Sequence, residues 1–269
     1  MFQIVRRTNS HESTDESAQQ TSGQFALMNC RANPELLSAS IALEDEAWDR
    51  VAYLDHTKSH HTFYHRMDSE FAEYRLSLFD TVTGEVVATG VCLPINLPAL
   101  EELPEEGWDW AVKTAFSQIG CRTTSMVALS VSVSPRHRKL GLARDVINAI
   151  RQLARMHECV ELVVPVRPTS KSRHQETSMN EYLRWRDDRG RVFDPWLRSH
   201  LSVGGQMLSI CHHSMLVVQP LEFWREWVRE DFVRSGKYNL DGGLTQLDVD
   251  VAANVGRYAE PNIWVRHQI

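Results

Sequence analysis

The segment Leu129–Ala149, LSVSVSPRHRKLGLARDVINA, limits what this chain can fold into more than any other. Its first residues alternate like a half-buried strand, and Pro135 ends the run. From Leu140 to Met156 the apolar residues Ala143, Val146, Ile147, Ile150 and Leu153 then follow helical spacing. A strand, a tight basic turn and a helix must therefore succeed one another almost without a linker. At such a helix start the first N–H groups lack partners and the helix dipole favours negative charge. The turn reads R-x-x-G-x-A from Arg138 to Ala143. Gly141 lets a ligand approach the backbone, and Ala143 keeps the first turn uncrowded. Arg136, Arg138, Lys139 and Arg144 add counter-charge, so the segment suits a phosphorylated anion. The G-K-[ST] of a P-loop is missing, and a dinucleotide fingerprint needs a tighter glycine turn.

Around this unit the pattern predicts one α+β or α/β domain over residues 24–269. Residues 1–23 hold almost nothing to bury and are expected to form a flexible arm. A helix is predicted within Pro34–Leu54, a hairpin from Phe71–Phe79 and Glu85–Leu93, and a loop from Pro94 to Gly107. A helix over Trp108–Ile119 precedes the strand Met126–Val133, and Val160–Val166 is a further buried strand. Residues 167–191 form a polar, basic insertion that reads as a solvated loop. Asp194-Pro195 marks a helix start and Gly204-Gly205 its stop. Ser214–Val218 reads as a short strand after a turn holding His212 and His213. Leu221–Val233 reads as an amphipathic helix, opening an extension from about residue 219 that ends in short strands.

The strand, V-S-P turn, R-x-x-G-x-A run and helix together resemble the cofactor motif of GCN5-related N-acetyltransferases (GNAT), with weaker likeness over most of the chain. The resemblance implies a mixed, mostly antiparallel, twisted sheet with helices on both faces, splayed where the strands ending at Val133 and Val166 separate. It implies acyl-coenzyme A as co-substrate, acetyl-CoA by the family's habit. The amides from Lys139 through Leu140, Gly141, Leu142 and Ala143 to Arg144 would hold its pyrophosphate. Arg138 would add charge, and the main chain at Val131, Ser132 and Val133 would pair with the pantetheine arm. Direct transfer to a small-molecule amine is the expected reaction, because no cysteine sits beside a base as a nucleophile. Some relatives carry a Glu where this strand has Ser130, Ser132 and Ser134; a water held by Ser130 or Ser132 could replace it, or the amine could arrive neutral. Relatives often place a Tyr four residues before the Gly that ends the helix after the fifth strand, and here that position is His200. Tyr182 is a second candidate acid, and Glu73 and Glu260 are carboxylates that could reach the cleft. Asp194–Gly204 is also similar to GNAT-like loading domains, so a carrier-protein thiol stays open as acceptor, as does a CoA-binding module without activity.

Formal net charge is -6, which disfavours a nucleic-acid partner. No apolar run reaches membrane-spanning length, and no signal-peptide core is visible. The five scattered cysteines, without a CxxC pair, suit a reducing cytoplasm. His56, His60, His61 and His65 make i,i+4 pairs, but no carboxylate or Cys completes a ligand set, so no metal is expected. Trp108 and Trp110 read as core, or as the wall of an acceptor pocket. Oligomeric state is left open, a homodimer included.

Overall fold

A computed structural model describes residues 25–269; the expected arm at 1–23 lies outside them. The chain runs β1 (Phe25–Asn29), α1 (Leu36–Trp48), α2 (Lys58–Phe63), α3 (Met67–Glu70), β2 (Arg75–Asp80) and β3 (Val86–Ile95). Next come α4 (Gly107–Ser117), β4 (Ser125–Val133), α5 (Leu142–Met156), β5 (Glu161–Val166), α6 (Met179–Tyr182) and α7 (Pro195–Ser202). The remainder is β6 (Gly205–Pro220), α8 (Leu221–Trp224), β7 (Gly236–Tyr238), β8 (Leu247–Asp250) and β9 (Val255–His267). The strands form one sheet in the order β1-β2-β3-β4-β5-β9-β8-β7, with β6 also on β9. Among the described strands only β4 and β5 run parallel, as the α5 crossover between them requires.

Two helices sandwich the middle of this sheet. Gly90 on β3 pairs with Val131 on β4, and a Cβ at Gly90 would meet Val146 Cγ1 of α5 at 2.5 Å. The missing side chain is what lets α5 press its buried Val146, Ile147, Ile150 and Leu153 onto that face. On the opposite face α1 buries Leu36, Ser40, Leu43 and Glu44, an i, i+4, i+7, i+8 stripe that includes two polar residues. Sequence reading missed β1, whose five residues are too short for a clear period.

Parallel pairing of β4 with β5 ends at Val127↔Val163. Leu129 is the extra residue of a β-bulge against β3, because Val91 faces Ser130 while Cys92 faces Ala128. A bulge bends its strand and raises the local twist. From there β4 keeps β3 on one edge, while β5, paired with β9 along its other edge from Leu162↔His267 to Val166↔Ile263, has no partner on the edge that faced β4. The sheet therefore opens a V with one unpaired edge of β4 inside it, as the family resemblance implied.

Several local expectations need correction. Residues 167–191 are not a solvated loop: Lys171, Met179 and Tyr182 are buried, and α6 lies within them. Lys171 Nζ donates to the carbonyls of His174 (2.7 Å) and Leu244 (2.9 Å), which makes its burial tolerable. Its ammonium is pushed down to about 8 by desolvation. The short strand Ser214–Val218 is part of a 16-residue β6 that includes His212 and His213. The helix expected over Leu221–Val233 stops after one turn at Trp224, whose indole N–H reaches the carbonyls of Gln219 and Gly256. Residues beyond 219 supply β9, which holds β6 along one edge and β5 and then β8 along the other. No helix among the described residues is long and apolar enough to cross a membrane.

Candidate active site

The V between β4 and β5 opens into a cleft of about 1650 Å³. Where α5 begins, Gly141 is its N-cap with φ +81° and no side-chain cap, and Lys139 also has positive φ (74°). The turn thus curls so that the α5 amides face outward into the cleft. The N–H groups of Leu142 and Ala143 find no acceptor among the described residues, whereas Arg144 N–H turns back to Gly141 O at 3.0 Å. Arg138, Lys139 and Arg144 are exposed on the cleft rim. Arg136 does not join them; its guanidinium is on Glu85 at 2.6 Å, away from the lining. Eight basic side chains line the cleft against one acidic one, Asp241; Arg167 is paired with Glu260 and Arg191 and Arg198 with Asp187, which still leaves an excess of positive charge although the whole chain is net acidic. That local field suits a polyanion such as coenzyme A.

Val131, Ser132 and Val133 all line the cleft along the free edge of β4. Ser132 Oγ is buried without a protein partner, as is Asn262 Oδ1 on the facing β9 wall, although Asn262 Nδ2 donates to Pro165 O at 2.9 Å. Orphaned polar atoms are costly, and they cluster where a ligand completes the hydrogen bonding. The observed residues therefore fit a phosphopantetheine arm laid against β4.

His200 also lines the cleft. Asp194 caps its helix, accepting from Trp196 N–H (2.9 Å) and Leu197 N–H (3.1 Å). His200 is 1% exposed, with Nδ1 at 2.9 Å from His267 Nε2 and its own Nε2 unpartnered. Burial, and then the neighbouring His267, press its pKa down to about 3, so the ring is neutral at physiological pH. Tyr182 is not brought to the cleft wall. Its hydroxyl donates to Asp194 Oδ2 at 3.0 Å, and its ring packs on Trp185 and Phe193. Burial and the Asp194 carboxylate raise its pKa further, which disfavours release of that proton.

The two carboxylates considered from sequence lie elsewhere. Glu73 is an outlying partner of Arg31 at 3.8 Å. Glu260 is fully buried, bonded to Tyr258 and to Arg167, the cation that does line the cleft. Sequence reading overlooked Glu44, whose carboxylate reaches the Ser130 hydroxyl on β4. No sequence signal marks it; only the observed burial of α1 puts Ser40 and Glu44 on the inward face. Trp108 does line the cleft, as do Trp48 and Val51, whereas Trp110 packs edge-on against Trp264. His56 and His60 stand against aromatic rings, Phe223 and Tyr64.

Fold and cleft together define an acyl-coenzyme A-dependent transferase of the splayed-sheet kind. No family model matches the chain. It is 34% identical over 225 residues to the arginine N-acetyltransferase avaD of Aspergillus versicolor, covering 74% of this chain and 77% of that one. Among solved structures, the loading GNATL domain of CurA from Lyngbya majuscula superposes with TM-score 0.58 at 14% identity, covering 91% of this chain and 97% of that one. The GphF GNAT-like decarboxylase with isobutyryl-CoA gives 0.55 at 17%, covering 90% and 98%. The chain belongs to the GNAT superfamily and is an N-acyltransferase.

Proposed function

We propose that the protein moves an acetyl group from acetyl-CoA directly to the amine of a small-molecule acceptor, an amino acid of the arginine type. The observation that carries this is the polarity of the cleft. At the α5 start it has helix amides and cations without partners among the described residues, while elsewhere its lining holds Arg50, Arg167 on Glu260, and Asp241, itself 3.1 Å from Arg229. An acceptor with both a carboxylate and a cation matches lining that carries both Arg50 and Asp241, and the arginine-acetylating relative agrees with it. Trp48, Val51 and Trp108 give the aliphatic part of such an acceptor an apolar wall.

Acetyl-CoA supplies the activated acyl group. The chain's residues hold and orient it: Leu142 and Ala143 N–H with Arg138, Lys139 and Arg144 at the phosphates, and Val131, Ser132 and Val133 along the arm. His200, neutral and with Nε2 free, donates from Nε2 in the tautomer whose Nδ1 accepts from His267. Placed at the thioester end, that N–H would stabilise developing negative charge without first taking up a proton.

Thiol release from acetyl-CoA, followed over L-arginine, other amino acids, simple amines and an acyl-carrier protein, tests the reading, with product mass adding one acetyl group. Arginine or a close analogue is expected to lead the panel. Acylated carrier with no acetylated amine would replace this function by thiol loading, and coenzyme A binding without release would make the protein a binding module.

A further inference from the structure

The chemistry needs somewhere for the ammonium proton of the acceptor to go, and the cleft wall of β4 carries hydroxyls only. Ser130 is half-buried on that wall, and its O–H donates to Glu44 Oε1 from α1, which packs on the same face of the sheet. Because its hydrogen is committed to Glu44, the oxygen of Ser130 presents lone pairs to anything else that approaches. Glu44 Oε2 is held by Arg75 Nη1 at 2.7 Å and by Tyr64 O–H at 2.9 Å. Arg75, 2% exposed, also binds Asp68 through Nε at 2.7 Å, so one guanidinium serves two carboxylates and the cluster keeps an excess negative charge. The other titratable groups nearby are His60, stacked on Tyr64 at 4.1 Å, and Asp55, at 3.3 Å from His60. Burial first, and only partly offset by Asp55 and Glu44, keeps His60 down at about 4 and hence neutral.

We propose that Ser130 and Glu44 form a proton relay on the α1 face of the sheet, by which an α1 carboxylate takes the proton of the acceptor ammonium. The ammonium gives one proton to Ser130 Oγ while the Ser130 proton passes to Glu44 Oε1, so no alkoxide accumulates. The freed nitrogen lone pair forms the C–N bond as the C–S bond breaks. The second N–H proton goes to the departing thiolate, and Glu44 returns its proton to solvent when products leave. Ser130 touches the substrate; Glu44 acts through it. The inference rests on an amine acceptor, not on arginine in particular.

The test uses whichever amine the wild-type protein turns over fastest, so a failure of the arginine assignment does not touch it. Glu44→Gln, which keeps shape and hydrogen bonding, is expected to lower kcat about 100-fold, within the usual span for general base catalysis. The ascending limb of its kcat–pH profile should move alkaline, toward the amine's own pKa, with acetyl-CoA affinity unchanged. Should Glu44→Gln unfold the protein by freeing Arg75, Ser130→Ala leaves the Glu44–Arg75 pair intact and should show the same loss. Ser130→Thr, which keeps the hydroxyl, should restore most of it. Wild-type kcat in Ser130→Ala overturns the relay. So does Ser130→Thr as impaired as Ser130→Ala, or a loss uniform across pH, since either would mean packing alone.

Discussion

At the scale of single residues the cleft depends on backbone and burial more than on reactive side chains. Gly141 sits at φ +81°, a conformation that costs other residues about 1–2 kcal/mol. Gly141→Val should lower melting by a few degrees yet weaken acetyl-CoA binding at least 10-fold, read by calorimetry; wild-type affinity would remove the turn from the cofactor site. His200 and His267 are buried with pKa values lowered to about 3 and about 4, in both cases mainly by desolvation. Since the unfolded chain protonates them near 6.5, it binds more protons than the native state below that pH. Stability should therefore be flat above about pH 6.5 and fall toward pH 4. His200 accounts for roughly 2 kcal/mol of the loss at pH 5. His200→Asn should flatten the acid side of a melting-temperature profile, and an unchanged slope would count against it. Gly141 was readable in sequence because a motif names its place. Glu44 was not, because a glutamate inside a helix usually faces solvent, and only tertiary packing shows it pointing inward.

At the scale of elements, α7 is fixed by one carboxylate that does four things. Asp194 accepts from Trp196 and Leu197 N–H at the helix start, from Ser170 N–H (2.9 Å) and from Tyr182 O–H. The cap was legible from Asp-Pro, but its two long-range partners come from a segment whose polar composition reads as loop. Removing a cap costs about 0.5–2 kcal/mol, and leaving a buried donor unpaired adds about 1–3 kcal/mol. Asp194→Ala should thus lose about 3 kcal/mol in urea unfolding, and a loss below about 1 kcal/mol would mean the network is slack. The same logic explains why α8 fell short of its amphipathic pattern. Period predicts a helical face, but the Trp224 indole is anchored to Gln219 and Gly256 carbonyls, and the chain turns away after it.

At the scale of the whole molecule, the order of elements from the β2–β3 hairpin to β5 was visible locally, since each follows its neighbour in sequence. The partnership of β9 with β5 and β6 was not, because long-range pairing leaves no local periodicity. That partnership has a consequence for how the protein comes into being. The second wall of the V is stabilised by residues synthesised about 100 positions after β5, which at typical ribosomal speeds takes roughly 5–20 s. During that interval the nascent chain presents the bare edge of β5 together with the bent edge of β4, two templates for mispairing. The binding half of the molecule is written early in translation but takes shape late, so a chaperone that shields strand edges has its natural moment between the emergence of β5 and that of β9.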